Sequence, residues 1–182
     1  MFPKFRKDGV QMDGQFNEKY LRKCHKRLRE LGAPLENWNC REVVDGETAD
    51  FICELCSCQK VRYIHVMEHP EYNGELNVGC ICAGYMEGDL IAARERDDAA
   101  RRKSSRRANF RKKKWEEQGE NRWGAKYKRR SVVIEREVFR GRDFYKIQID
   151  TDCYQWWKNR RIETLEDAKL VVFELIDWEE TQ

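Results

Sequence analysis

Cys53-Glu54-Leu55-Cys56 and Cys80-Ile81-Cys82, with residues 57–79 between them, are the two cysteine pairs whose reading decides the fold. Val61 to Met67 is rich in β-branched and aromatic residues, Pro70-Glu71-Tyr72-Asn73-Gly74 has turn chemistry, and Leu76-Asn77-Val78 offers a second short strand. The cysteines therefore bracket one β-hairpin at its base. After Cys82 the sequence turns to Ala83, Ala92 and Ala93 among alternating charges, so the second pair falls where a strand hands over to a helix.

That order of knuckle, hairpin and helix resembles the treble-clef zinc fingers over about forty of the 182 residues. The resemblance implies that Cys53, Cys56, Cys80 and Cys82 are the ligands of one structural Zn2+. The second pair is Cys-x-Cys where Cys-x-x-Cys is commoner, which leaves room for Cys58 or His69 to replace one member. Four thiolates make a closed tetrahedral site, whereas a catalytic zinc keeps a position for water.

Composition agrees with a metal. Eight cysteines in a chain expected to be cytoplasmic point to thiolate ligands rather than disulfides, because a reducing compartment keeps thiols free. A small hairpin module buries too little apolar surface to fold alone, and zinc supplies the difference. Charged residues make up 38% of the chain against 40% hydrophobic, so much of the charge must lie on solvated elements, while six Trp supply material for small cores. No window approaches the roughly eighteen apolar residues of a membrane span. Met1 to Gly14 lacks the apolar region of a signal peptide, which sets the cytoplasmic expectation.

Residues 1–16 read as a loose arm, and residues 17–93 as an N-terminal helix plus the zinc module. Asn17 is placed to cap a helix that runs to Leu31 and stops at Gly32 and Pro34. Tyr20, Leu21, Cys24, Leu28 and Leu31 give it one apolar stripe, and basic residues fill the remainder. Cys24, His25 and Cys40 invite a second metal site, but Cys24 lies on the stripe and Cys40 follows Trp38 in a loop. A buried cysteine behaves as a small hydrophobe.

His65-Val66-Met67-Glu68-His69 matches the H-x-x-E-H pattern of inverted zinc metallopeptidases. That chemistry requires a helix, and a β-branched run cut by Pro70 is poor helix material. A nuclease of the His-Me type, also built on a treble clef, would place a histidine base on the hairpin, at His65 or His69. The helix after Cys82 carries no histidine to hold its metal. A metal-dependent nuclease or hydrolase is thus a remote alternative, the expectation is a non-enzyme, and no catalytic residue is assigned.

Residues 94–130 hold sixteen Lys and Arg against six Asp and Glu, in a chain whose whole net charge is only +3. Leu90 through Glu117 has neither Pro nor Gly and reads as one long basic helix that buries little of itself. Arg101, Arg102, Lys103, Arg106, Arg107, Arg111, Lys112, Lys113, Lys114, Lys126, Lys128, Arg129 and Arg130 suit a phosphate backbone. Trp115 and Trp123 add stacking platforms for unpaired bases. Gly119 and Gly124 read as a flexible joint.

From Ser131 the period becomes that of strands. Val132 to Phe139 and Phe144 to Ile149 flank the turn Arg140-Gly141-Arg142-Asp143, and Tyr154 to Trp157 gives a third strand. Thr164 with Asp167 caps a helix from Leu165 to Trp178. This ββ-β-α unit, residues 131–182, looks like the small domains of integrase arms and AP2-type DNA binders, whose three-stranded sheet enters a groove.

The expected fold is α+β: a small zinc-stabilised treble-clef module, a long basic helix, and a separate ββ-β-α domain. The expected function is a zinc-containing nucleic-acid-binding or regulatory protein that contacts phosphates through its basic helix. The alternative is an adaptor or inhibitor whose basic surface binds an acidic protein.

Overall fold

A computed structural model describes residues 18–57 and 60–179. The expected arm, the Asn17 cap and Cys58 lie outside the described residues. The chain is mixed α+β, with four helices and several small antiparallel sheets among the described residues. It divides into two units, Met1–Ser104 and Ser105–Gln182. No described helix is long and apolar enough to cross a membrane.

The first unit opens with α1 (Glu18–Glu30), which buries Cys24 and Leu28. Gly32 ends it in the left-handed region at φ +63°, where Gly32 N–H donates to Arg29 O and Ala33 N–H to Leu28 O. This pair of bonds caps the last free carbonyls, and glycine takes that backbone shape without strain. Strands β1 (Asn39–Asp45), β4 (Tyr63–Glu68) and β5 (Glu75–Val78) form an antiparallel sheet with β4 central. Two short strands, β2 (Phe51–Ile52) and β3 (Lys60–Val61), pair beside it. The expected hairpin is therefore present as β4–β5, and H-x-x-E-H falls on a strand and the turn after it. Helix α2 (Cys80–Glu87) follows at once, then α3 (Leu90–Arg111). Leu28, Trp38, Leu55, Met67, Leu76, Val78 and Met86 make the core.

Strand β1 corrects the sequence reading, which left Cys40 in a loop. Its register shifts between Cys40 and Glu42, and most of its side chains stay at least partly exposed, so no alternation marks it. Its end is tied down by Arg62, which donates to both Asp45 oxygens at 2.7 and 3.0 Å and to Ser104 Oγ at 2.7 Å. Those bonds hold the Asp45 carboxyl at about 2. A depressed carboxylate contributes stability that is present above its unfolded value, ~3.9, and is lost as pH falls toward 2. After discounting for solvent screening, Asp45→Asn is expected to cost about 1 kcal/mol at neutral pH. That cost should fade between pH 4 and 2 in denaturant titrations; an equal cost at both ends would contradict the pairing.

In the second unit β6 (Glu116–Glu117), β7 (Arg122–Tyr127), β8 (Arg130–Phe139), β9 (Arg142–Ile149) and β10 (Asp152–Tyr154) form one antiparallel meander. A two-stranded piece, β11 (Trp156–Trp157) with β12 (Arg160–Arg161), precedes α4 (Leu165–Glu179). Val132 pairs with Ile149 and Ile134 with Ile147. These four side chains are buried in one core with Ala168, Val172, Phe173 and Ile176 of α4. Thr164 caps α4 as expected, its Oγ1 accepting from Asp167 N at 3.0 Å.

Two expectations change here. The sheet has five strands rather than three, and the segment 94–130, expected as a basic helix or linker, is not a separate element. The helix ends at Arg111, short of Lys112, Lys113, Lys114 and Trp115, and residues 116–127 supply the sheet's outer strands. Phe110 draws this segment in: it is 4% exposed, with its ring centroid 5.6 Å from Phe173, 4.6 Å from Tyr127 and 6.2 Å from Trp115. Gly124 sits inside β7, paired with Glu116 on one side and Val133 on the other, so it belongs to the sheet and is not a joint.

Candidate metal centre

Cys53 and Cys56 lie on the tight turn that leaves β2, closed by Ser57 N–H donating to Cys53 O at 2.9 Å. Cys82 lies in the first turn of α2, which starts where β5 ends. The hairpin thus returns the chain to the knuckle. Gly79, at the junction, donates its N–H to Cys53 Sγ at 3.4 Å. A Cβ there would come within 2.8 Å of Val61 Cγ1, so glycine leaves room for that β3 side chain at the junction.

The sulfurs of Cys53, Cys56 and Cys82 all lie within 4.8 Å of one another, and all three residues are buried. Cys53 and Cys82 are 3.4 Å apart, well beyond the ~2.05 Å of a disulfide. All seven cysteines among the described residues are free thiols. Cys24 reaches the same place from α1: it is fully buried and its thiol hydrogen-bonds to Cys82. Tyr20, one turn earlier on that helix, sets its hydroxyl 2.9 Å from Cys82 Sγ. The three converging sulfurs therefore have a fourth thiol, Cys24, and the Tyr20 hydroxyl beside Cys82.

The electrostatics are those of a group short of positive charge. Hydrogen bonds from Cys56 and then Cys82 pull the Cys53 thiol far below its ordinary range. Cys82 moves well above it, because its bonds to Cys24, Cys53 and Cys56 keep its proton in place. Burial, and then the sulfur charges, push the Tyr20 hydroxyl up. Buried thiolates without a countercharge are costly, and soft thiolates select zinc, copper(I) or iron–sulfur centres. The group is suited to hold a metal ion.

Of the four expected ligands, the structure brings Cys53, Cys56 and Cys82 together and places Cys80 elsewhere. Successive residues of a helix point about 100° apart, so Cys80 and Cys82 cannot both face the knuckle. Cys80 belongs to a group with His65 and Asp97. Burial and the Asp97 charge raise its thiol to about 12. The other candidates do not converge on either group. His69 accepts from Glu71 N at 3.0 Å and packs on Trp38, Glu68 is exposed, and His25 packs against Tyr85.

The expected phosphate contacts divide. Arg101 donates to Asp97 at 2.7 Å, Arg106 donates to both oxygens of the buried Asp177 at 2.8 and 3.0 Å, and Lys128 lies 3.7 Å from the same carboxylate. Arg130 pairs with Asp150. Asp177 and Asp150 come from α4 and the β9–β10 turn, so these two were invisible in the local charge count. Trp115 and Trp123 are half-buried, Trp115 against Phe110 and Trp123 against Tyr145. In the first unit Arg102 and Lys103 are exposed. In the second, Arg107 is half-buried and Arg111, Lys112, Lys114, Lys126 and Arg129 are exposed. Lys113 lines two grooves, one of about 430 Å3 shared with Arg106, Lys112 and Lys128, the other of about 350 Å3 shared with Lys114 and Lys126.

Sequence reasoning weighed Cys24 only with His25 and Cys40, not beside Cys82, and did not single out Asp97. Cys24 stood on the apolar stripe with Tyr20, and the burial of that stripe was the signal; Asp97 was hidden in a run of mixed charge. No protein-family model, curated protein or solved structure matches the chain.

Proposed function

We propose that the chain is a non-enzymatic nucleic-acid-binding protein whose first unit is a treble-clef module braced by one zinc ion on Cys24, Cys53, Cys56 and Cys82. The order of knuckle, β4–β5 hairpin and α2 is that of the treble clef, and Cys24 clips α1 onto it. A closed four-thiolate site is structural, since it leaves no position for substrate or water.

The observation that carries the binding role is the pair of lysine-lined grooves on the second unit, with Lys113 common to both. Lys112, Lys114, Lys126 and Arg129 keep their charges in water, ready to displace counterions from phosphates, while the paired arginines position the scaffold. The test is affinity for a labelled oligonucleotide, single-stranded and duplex, across a salt series. About five phosphate contacts predict a loss of ~10²–10³-fold between 50 and 200 mM salt. Replacing Lys112, Lys114 and Lys126 together with alanine should flatten the log–log slope by about two to three. Affinity that ignores salt, or survives the triple replacement, would overturn the reading. A partner retained after nuclease treatment would point instead to an acidic protein surface.

A further inference from the structure

A second group of ligating side chains stands apart from the four sulfurs. His65 on β4, Cys80 on α2 and Asp97 on α3 bring a ring nitrogen, a sulfur and a carboxylate oxygen within 4.8 Å of one another. His65 is fully buried and Asp97 is 7% exposed. His65 Nδ1 lies 3.8 Å from Cys40 Sγ, and its Nε2 faces Asp97 Oδ1 at 3.5 Å.

A buried imidazole, a thiol and a carboxylate converging on one point are a donor set that a divalent cation binds. A charge-assisted hydrogen bond would close to ~2.7–2.9 Å. The observed gap matches instead the roughly 3.4 Å edge between two ligands that each sit about 2.0–2.2 Å from a tetrahedral ion. The outer contacts also have the form that orients metal ligands: Arg101 Nε holds the other Asp97 oxygen at 2.7 Å, and Cys40 holds the far side of the ring.

We infer that His65, Cys80 and Asp97 hold a second divalent ion of the zinc class, with one coordination position left for an exchangeable oxygen ligand. Three protein ligands of mixed type, unlike four thiolates, leave such a position. Cys80 and Asp97 also line a cleft of about 580 Å3 together with Arg62, Tyr63, Arg94 and Arg101. Arg62 and Arg101 lie over the Tyr63 ring at 5.3 and 5.1 Å and are paired with Asp45 and Asp97. Arg94 adds positive charge at this wall, which favours water or a small oxyanion as the fourth ligand.

The inference does not depend on nucleic-acid binding, and its test separates the two. Metal content is measured on the full chain, zinc-loaded and freed of loose ions, alongside oligonucleotide affinity. The wild type is expected to hold two equivalents of zinc, and Cys80→Ser and Asp97→Asn one each with unchanged oligonucleotide affinity. Cobalt substitution gives a second readout, in which the charge-transfer band of a single-thiolate site disappears in Cys80→Ser while that of the four-thiolate site persists. One equivalent in the wild type, or two retained in both variants, would overturn the inference. So would loss of both equivalents in Cys80→Ser, which would place Cys80 in the first site.

Discussion

Cys24→Ser is expected to weaken zinc binding by ~10²–10³-fold and to destabilise the first unit by about 3–4 kcal/mol. The estimate shares the ~10–16 kcal/mol of a structural zinc over four ligands. The physical contrast is with packing alone. Were Cys24 only a small hydrophobe on the buried stripe of α1, Cys24→Ala would cost about 1 kcal/mol and leave metal affinity unchanged. As a ligand, it makes alanine as damaging to zinc affinity as serine. Chelator competition on both variants reads the affinity, and denaturant unfolding reads the stability. Stripping the metal entirely should unfold the first unit, because its core is small and its sulfurs would be left buried without a countercharge.

Phe110→Ala is expected to cost the second unit about 3–5 kcal/mol, the usual price of truncating a fully packed phenylalanine. Phe110 is buried against Phe173 and Tyr127, so its removal opens a cavity between the last turn of α3 and the core under α4. A residue on a solvated linker helix, which is how the local sequence reads, would change stability by less than about 0.5 kcal/mol. Urea or thermal unfolding of the full chain, followed through the tryptophans, distinguishes the two outcomes. A near-neutral result would return residues 105–130 to the role of linker.

What the sequence made legible was whatever had a strong local signature. The Cys53/Cys56 knuckle, the β4–β5 hairpin, the Thr164 cap and the Ile147/Ile149 face each follow from spacing within a few residues. What it concealed depended on long-range pairing. The β7–β8 hairpin turns on Lys128 and Arg129, both with positive φ, and no Asn-Gly or Asp-Gly announces it. An unbroken helical pattern therefore ran past Arg111 into what became an edge strand. Cys80 and Cys82 looked equivalent in sequence, and only the pitch of α2 separates them. The fourth ligand proposed in place of Cys80 lies on a helix far upstream, where Cys24 reads first as part of an apolar stripe. The basic run hid its own carboxylate partners for the same reason, since Asp150 and Asp177 join it only on folding.

The most direct measurement of the central claim is a crystal structure of the zinc-loaded chain with anomalous data collected across the zinc edge. The expected result is a peak about 2.3 Å from each of the four sulfurs of Cys24, Cys53, Cys56 and Cys82. A peak that takes Cys80 in place of Cys24, or no peak among these sulfurs, would contradict it.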